Sequence, residues 1–220
     1  MDNVNFLPWV GKCYHEGLAG HKVLVLGESH YCYDLGAGKC PGCSLENCIM
    51  LRWSRADFEQ QTSEYIKDIL FNCPGGSYQQ TALSFERAVL GKKVPTQAER
   101  EDFWNSVIFY NYIQKALPKK KGERTVFKAA DLVGADLAFK KVLEAYMPDR
   151  IIVWGCRLYG ILPDWNGSSS FLKLPSGAET DIWTYTIKGK SIPAMKVYHP
   201  SHPAGRDWQY WHQFYKEFLK

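Results

Sequence analysis

The sequence predicts an α/β fold, a three-layer α/β/α sandwich built around a central, mostly parallel sheet. Short apolar runs typical of buried strands alternate with segments of helical periodicity, which favours a parallel sheet covered by helices on both faces. Two of these runs, Lys22–Gly27 and Met195–Tyr198, end where titratable side chains follow. No repeat, low-complexity tract or linker interrupts residues 1–220, so we expect a single domain.

The predicted elements follow in chain order. Strands are expected at Lys22–Gly27, Val107–Asn111 and Arg150–Gly155, and as the arms of a hairpin at Asp181–Ile187 and Ile192–His199. Helices are expected at Ala56–Leu70, Tyr78–Leu90, Thr96 to about Trp104, Leu137–Tyr146, Cys156–Leu162 and Asp207–Leu219. Residues 28–53 and 163–170 are expected to be loops. The hairpin would add an antiparallel strand at one edge of the sheet.

Local signals support the ends of several elements. Thr96, with Glu99 three residues later, is a capping-box signature for the start of a helix. Gly91 and Pro148 end the helices that precede them, and residues 188–190 form the hairpin turn. The last helix carries an aromatic stripe at helical spacing, which we interpret as a core-facing surface: Trp211, Phe214, Tyr215 and Phe218.

Composition excludes several classes of protein. A hydrophobic content of 45% and an aromatic content of 15% exclude a disordered chain. The net charge of +4, from 27 basic and 23 acidic residues, permits an anionic partner. A basic segment formed by residues 119–121, Arg124 and Lys128 is either a solvated loop or a contact for such a partner. We see no signal peptide and no apolar run long enough to span a membrane, and we expect a cytoplasmic monomer.

The ends of two predicted strands carry the candidate catalytic groups. Glu28 follows Gly27 after the first strand, and His199 opens the His-Pro-Ser sequence after the last. Ligands of open α/β sheets bind beyond the carboxyl ends of the strands, where a carboxylate and an imidazole can work as an electrostatic pair. Each residue also has a structural interpretation, Glu28 as a helix cap or surface ion pair and His199 as a packing residue.

The order of these motifs resembles the uracil-DNA glycosylase superfamily. That superfamily has a Gly-[Glu/Gln]-x-Pro loop after its first strand, an Asn at a later strand end, a Pro-x-x-Ile-Ile-x-x-Gly segment and a His-Pro-Ser loop. The corresponding segments here are residues 27–31 (GESHY), Asn111, residues 148–155 and residues 199–201 (HPS). The resemblance spans about residues 22–205 and depends on four short motifs in this order.

The resemblance implies roles for individual residues. Glu28 would orient water or stabilise the cationic sugar, and His199 would stabilise negative charge on the departing base. Asn111 would read the edge of the base, and Tyr31 would bound the pocket. The other expected substrate contacts are Gly27, Ser29, His30 and Ser201. Tyr33 is a candidate for the stacking aromatic. Asn111 has a structural alternative as a turn former.

Two departures from the family pattern affect the expected substrate. His30 stands where the family has proline, so it can enter the pocket and change which base is accepted. Residues 202–206 (HPAGR) contain no bulky apolar side chain to fill the gap that a flipped base leaves. The second departure favours single-stranded DNA, a free nucleotide or an unusual substrate over duplex DNA.

A cysteine cluster is the second candidate site. Cys32, Cys40, Cys43 and Cys48 lie within 17 residues, and Cys40 and Cys43 form a CxxC pair. Four thiolates can hold a tetrahedral zinc ion, which we favour over an iron–sulfur cluster. Free thiols remain an alternative, since a single CxxC pair is a weak motif. The His199-x-x-His202 spacing suits a metal site only on a helix, which Pro200 and Pro203 disfavour.

The sequence as a whole predicts a glycosylase of the base-excision type, which hydrolyses the N-glycosidic bond of uracil or a related base in DNA. A non-catalytic nucleic-acid-binding module with the same fold is the main alternative. A metal-dependent hydrolase with a purely structural cysteine cluster is a third interpretation.

Overall fold

The structure is a computed structural model, and it describes residues 1, 3–32, 55–72, 77–118 and 125–220. The strands are β1 (Trp9–Val10), β2 (Val23–Cys32), β3 (Val107–Pro118), β4 (Arg150–Trp154), β5 (Ser168–Lys173), β6 (Glu179–Ile187) and β7 (Lys190–Val197). The α-helices are α1 (Arg55–Lys67), α2 (Ser77–Leu90), α3 (Gln97–Asn105), α4 (Ala135–Tyr146), α5 (Cys156–Tyr159) and α6 (Trp208–Phe218). A π-helical turn at Asp68–Asn72 extends α1.

All these strands belong to one seven-stranded sheet with the order β1-β3-β2-β4-β7-β6-β5. The four central strands, β3, β2, β4 and β7, pair in parallel. The outer pairings, β1 with β3, β6 with β7 and β5 with β6, are antiparallel. The protein is therefore an α/β protein with a mixed sheet, and the prediction of a mostly parallel sheet holds for its centre only.

Two hydrophobic clusters take alternate residues of the central strands. Val23 and Val25 of β2 join the cluster that includes residues of α1, α2, α3 and α6. Leu24 and Leu26 join the cluster that includes residues of α4 and α5. Because successive side chains of a strand point to opposite faces of the sheet, the two clusters lie on opposite faces. Burial of these apolar surfaces is the main force that holds the helices against the sheet.

The sequence predicts a loop after Gly27, but β2 continues to Cys32. The cause is a long-range pairing with β3, in which Ser29 aligns with Ile113 and Tyr31 with Leu117, with an irregularity between the two pairs. The ladder satisfies the backbone of this polar segment, which local sequence signals cannot reveal. Pairing of β2 with β4 ends earlier, at Leu26 and Val153. Glu28 therefore lies inside a strand that is paired to β3 and extends beyond β4.

Other boundaries also differ from the predictions. β3 runs to Pro118 rather than ending at Asn111, and α5 ends at Tyr159 rather than Leu162. The predicted loop at 163–170 contains the start of β5, a strand with mostly exposed side chains that pairs along β6. β1 has only two residues and was not predicted.

The predicted helix signals are confirmed. Thr96 caps α3 in a capping box with Glu99. Asp207 caps α6, and the predicted aromatic stripe of that helix is buried. The β6–β7 hairpin turns at Lys188 and Gly189, both with positive φ (49° and 79°), the combination that matches the twist of the flanking strands.

A buried ion pair joins α2 to α3. Glu86 is fully buried and accepts hydrogen bonds from Nε of Arg100 (2.6 Å) and from Nε1 of Trp104 (2.8 Å). The guanidinium also donates to the backbone carbonyl of Ile69 (2.7 Å). The negative charge of Glu86 on α2 is therefore compensated by the Arg100 cation and by N–H donors of Arg100 and Trp104, both of which are on α3.

Within the described ranges, none of the helices combines the length and the apolar character that crossing a membrane requires.

Candidate functional site

The candidate residues lie near the level of the sheet at which β4 and β7 end, whereas β2 and β3 continue beyond it. Gly27 of β2 aligns with Asn111 of β3 in the ladder, so Glu28 lies one residue beyond that level and its side chain leaves the opposite face of the sheet from that of Asn111. The backbone N–H of Gly155, just after β4, donates to the carbonyl of Val197 (2.9 Å), the last residue of β7. His199 follows two residues later. The order across this edge is Asn111, Glu28, the end of β4 and then His199.

The Glu28 carboxylate is buried, 8% exposed, and forms an ion pair with Arg157 of α5. Nε of Arg157 donates to Oε2 (2.7 Å), and Nη2 donates to Oε1. Arg157 is itself held, because Nη1 donates to the backbone carbonyl of Thr125 (2.7 Å) and the guanidinium lies over the Phe127 ring (4.9 Å to its centroid). The bidentate pairing fixes the orientation of the carboxylate and compensates its charge.

Asn111 contacts His30 through its side chain. The two residues are 5% and 9% exposed, and Nδ2 of Asn111 lies 3.2 Å from Nε2 of His30. Oγ1 of Thr62, a fully buried residue of α1, lies 3.0 Å from the same Nε2. A carboxamide nitrogen can only donate, so Nε2 of His30 is the acceptor and the proton of the neutral ring is on Nδ1. Burial lowers the pKa of His30 to about 4, which keeps this ring neutral at physiological pH.

This buried histidine predicts a loss of stability in acid. The pKa of His30 falls from 6.5 to about 4 on folding, so the unfolded chain binds more protons between these two values. The free energy of unfolding should therefore decrease as the pH is lowered from 6.5 to 4, by about 3 kcal/mol from this group at about 1.4 kcal/mol per pH unit. Urea unfolding of the wild type and of His30→Gln across this range measures the difference. Parallel pH profiles for the two proteins would contradict the assignment.

Gly27 is required by the close approach of Asn111. A Cβ atom at position 27 would lie 2.2 Å from Oδ1 of Asn111 and 2.9 Å from the Phe109 ring. The carboxamide oxygen thus occupies the space above Gly27 that a side chain would fill. The glycine that ends the apolar run in the sequence has a role in the site besides its role in the backbone.

His199 presents a defined tautomer. The backbone N–H of Ser201 donates to Nδ1 of His199 (3.2 Å), and Oγ of Ser201 lies 2.7 Å from the same atom. Because Nδ1 accepts, a neutral His199 carries its proton on Nε2 and can donate from that atom. The ring packs edge-to-face against Trp154 (centroids 6.0 Å apart), and its Cβ lies beside Gly155.

Several buried polar atoms near this edge have no hydrogen-bond partner among the described residues: Oγ of Ser29, Oγ1 of Thr125 and Nε1 of Trp154. Buried polar groups are nearly always paired in native proteins. Ser29 neighbours Glu28, Thr125 binds Arg157 and Trp154 contacts His199. Unpaired polar atoms beside Glu28, Arg157 and His199 mark places where a ligand or an ordered water is expected.

A cleft of about 280 Å³ is lined in part by Tyr198, the residue before His199. Its lining includes Tyr198, Tyr210, Phe171, Cys156 and Lys196. Tyr198 is 44% exposed and Tyr210 39% exposed, so aromatic surface is available to a ligand. The cleft also contains acidic groups, one of which, Asp181, pairs with Lys196.

The sequence motifs did not identify two residues of the site, Arg157 and Thr62. Arg157 stands two residues after Gly155, at the same sheet edge as Glu28, and its place after a predicted strand was the signal available. Thr62 lies within α1 without any distinguishing motif. Ser29 and Tyr31 belong to the extended part of β2, and Tyr31 is half-buried.

The predicted metal site lies mostly outside the described residues. Cys32 is the last residue of β2, whereas Cys40, Cys43, Cys48 and the candidate aromatic Tyr33 fall outside. Of the predicted basic segment, Lys128 alone is described, and it is exposed. The described residues contain no group of three or more His, Cys, Asp or Glu side chains that could hold a metal ion.

Comparison of the chain with family models and with curated proteins found no match.

Proposed function

We propose that this protein hydrolyses the N-glycosidic bond of a pyrimidine base in nucleic acid, using a three-layer α/β/α arrangement as its scaffold. The supporting observation is that Asn111, Glu28 and His199 lie at the same edge of one sheet, with Asn111 and Glu28 on the neighbouring strands β3 and β2 and His199 after β7, which β4 separates from β2. Helix groups in contact with each face of the sheet support the layered arrangement.

The chemistry of bond cleavage suits these groups. Departure of a base leaves positive charge on the sugar and negative charge on the base. The Glu28 carboxylate would lower the cost of the first charge, and the Nε2–H of His199 would lower the cost of the second. The Asn111 carboxamide would read the edge of the base, which must leave the stack to reach it. Glu28 of β2 and Asn111 of β3 are both buried, and burial strengthens electrostatic interactions at this edge of the sheet.

A single strand is the form of nucleic acid that we propose as substrate. The segment after His199 contains a 3₁₀ turn at Pro203–Gly205 and offers no bulky apolar side chain to replace a base in a duplex. The exposed rings of Tyr198 and Tyr210 in the neighbouring cleft can stack on flanking bases, an interaction that tolerates any sequence.

One observation favours the alternative, a binding module without catalysis. Arg157 holds both oxygens of Glu28, and a carboxylate paired in this way offers less negative charge to a sugar cation. Such a module would keep the base-reading Asn111 and the aromatic cleft and would bind nucleic acid without cleaving it.

Base release separates the two functions. The protein is incubated with single-stranded and duplex oligonucleotides that carry one uracil, and abasic sites are detected by alkaline strand cleavage. Binding is measured in parallel by fluorescence anisotropy with the same oligonucleotides. Abasic sites in the single strand support the hydrolase. Binding of the single strand without abasic sites after prolonged incubation supports the module and refutes hydrolysis of uracil.

We also propose zinc as the ion bound by Cys32, Cys40, Cys43 and Cys48. Metal analysis of the purified protein should find stoichiometric zinc in a colourless sample, since zinc has no visible absorption whereas iron–sulfur clusters do. The double variant Cys40→Ser/Cys43→Ser should lose the metal, and Cys13→Ser, at an exposed free cysteine, should keep it. Iron in place of zinc, or a metal-free wild type, would contradict the proposal.

A further inference from the structure

The cleft that Tyr198 lines has aromatic walls from three separate parts of the fold. Phe171 is on β5, Tyr198 directly follows β7, and Tyr210 lies in the first turn of α6. All three residues are exposed, Phe171 most of all at 54%. Exposed rings that converge on one cleft are typical of a binding site, because ligand pockets are lined mainly by apolar and aromatic side chains.

A buried tryptophan holds the two tyrosine rings in place. Trp211 is 4% exposed, and its Nε1 donates to the backbone carbonyl of Ala204 (2.8 Å). The rings of Tyr198 and Tyr210 meet it edge-to-face, with centroids 5.9 Å and 5.3 Å away. The His202 ring also stacks on Tyr198 (centroids 5.4 Å apart, interplanar angle 18°). Rings fixed in this way lose little conformational freedom when a ligand binds, so the cleft is preorganised.

The charges around the cleft favour a cation. Among the described residues, its lining contains the carboxylates of Glu179 and Asp181 and the ammonium group of Lys196. Asp181 pairs with Lys196, whereas Glu179 pairs at 3.2 Å with Lys173, which is outside this lining. The second pair is exposed and therefore weak, so Glu179 leaves the cleft with an excess of negative charge. The faces of the aromatic rings are negative as well.

Lys196 shows how this part of the protein accommodates a cation. Its Nζ pairs with Asp181 and lies 5.8 Å from the centroid of the Tyr159 ring. A cation between a carboxylate and an aromatic face is stabilised by both. Because the two carboxylates of the cleft are already paired with lysines, a ligand with several N–H donors would find few free acceptors. A cation without N–H groups needs no acceptor.

We propose that this cleft binds a quaternary ammonium group, either on a free molecule or on a trimethylated lysine side chain. Its volume of about 280 Å³ is close to the lower end of small-molecule pockets, about 300–1,000 Å³, and suits a compact group. A base that stacks on the same tyrosines would compete with this ligand. The site is independent of N-glycosidic hydrolysis, because the described lining contains none of Glu28, Asn111 and His199.

The test compares two probes of the same shape. Choline carries a trimethylammonium group, and its uncharged carbon analogue carries a tert-butyl group in the same place. Binding is measured by NMR titration of the full chain, following the indole N–H signal of Trp211 in the cleft. We expect choline to bind in the millimolar range, at least about 10-fold more tightly than the analogue. Equal affinity for the two probes, or no saturable binding of choline, would overturn the inference.

Variants of the exposed rings locate the site. Phe171→Ala and Tyr210→Ala should each raise the Kd for choline about 2–5-fold, the effect of losing one exposed cation–π contact. Tyr210→Phe keeps an aromatic face and should bind as the wild type does. Phe71→Ala, at a phenylalanine of similar exposure (60%) outside the described lining, is the matched control. An unchanged Kd in both alanine variants of the cleft would overturn the assignment.

A further variant separates charge from packing. Asp181→Asn keeps the shape of the side chain but leaves Lys196 uncompensated, so it should weaken choline several-fold and leave the uncharged analogue unaffected. Glu64→Gln, in an exposed pair with Lys67, is the control. Equal weakening of both probes by Asp181→Asn would show an effect on packing alone and would contradict recognition of a cation.

Peptides identify the source of the ammonium group. A peptide with one trimethyllysine is compared with choline and with the same peptide carrying unmodified lysine. Tighter binding of the trimethylated peptide than of choline supports a lysine side chain as the ligand, and tighter binding of choline supports a free molecule. A preference for unmodified lysine would overturn the inference, since the cleft would then recognise N–H donors. No nucleic acid enters these measurements, so a failure to release uracil leaves their outcome unchanged.

Discussion

Replacing His199 by alanine is expected to slow the release of uracil from single-stranded DNA by about 10²–10³-fold, the effect of removing one preorganised donor to a developing anion. The donor is Nε2–H, since Nδ1 accepts from the backbone of Ser201. Single-turnover rates of abasic-site formation measure the change. Binding of the oligonucleotide should weaken far less, because the donor acts mainly when charge develops on the base.

Two further variants sharpen this prediction. His15→Ala, at an exposed histidine in the segment before β2, should leave the rate unchanged. Ser201→Ala removes the hydroxyl beside Nδ1 and should cause a smaller loss, because the backbone N–H of Ser201 still orients the ring. A His199→Ala protein that releases uracil at the wild-type rate would refute the role of this histidine.

Replacing Glu86 by alanine is expected to lower the free energy of unfolding by about 3–5 kcal/mol, the usual cost of leaving one partner of a buried ion pair without the other. Glu86 is fully buried, and its removal leaves Nε of Arg100 and Nε1 of Trp104 without their acceptor and the Arg100 cation without its carboxylate. Urea denaturation of the purified variant measures the loss. Such a change is a large part of the stability of a typical domain, so the variant should also unfold at a markedly lower temperature.

The matched controls separate charge from packing. Glu64→Ala removes one half of an exposed pair with Lys67 and should cost at most about 1 kcal/mol. In the double variant Glu86→Met/Arg100→Met no charge is left unpaired, so most of the lost stability should return. If the double variant is less stable than Glu86→Ala, the buried pair contributes through packing and not through charge compensation.

The sequence predicted the elements whose signals are local. The capping box at Thr96, the hairpin turn at Lys188 and Gly189, and the stripe of α6 each lie within a few residues and were confirmed. The predicted end of β2 was wrong. The polar residues after Gly27 resemble a loop sequence, and the residues of β3 that pair with them are more than 80 positions away in the chain. β5 was missed for a related reason. Its exposed Ser and Lys residues have no strand pattern, and it forms because β6 offers an edge.

The candidate site was predictable in its position more than in its contacts. Motif order predicted Glu28, Asn111 and His199 at strand ends. Glu28 and Asn111 instead lie within longer strands, and parallel pairing places β2, β3, β4 and β7 side by side in one sheet. The partners of these residues were not predictable. Arg157 binds Glu28 across 129 positions, and Thr62 lies beside His30 from a helix without a motif. Contacts of this kind depend on how helices dock against the sheet, which a single sequence does not encode locally.

Gly27, Glu28 and Asn111 lie within the hydrogen-bonded ladder of β2 and β3 and not in the segments that follow these strands. Their spacing is set by the distance between adjacent strands, about 4.8 Å, which all sheets share. Geometry anchored in this way is insensitive to the length and composition of surface segments. Surface segments near the site could therefore be exchanged to alter substrate access, and Glu28 and Asn111 would keep their relative positions in the sheet.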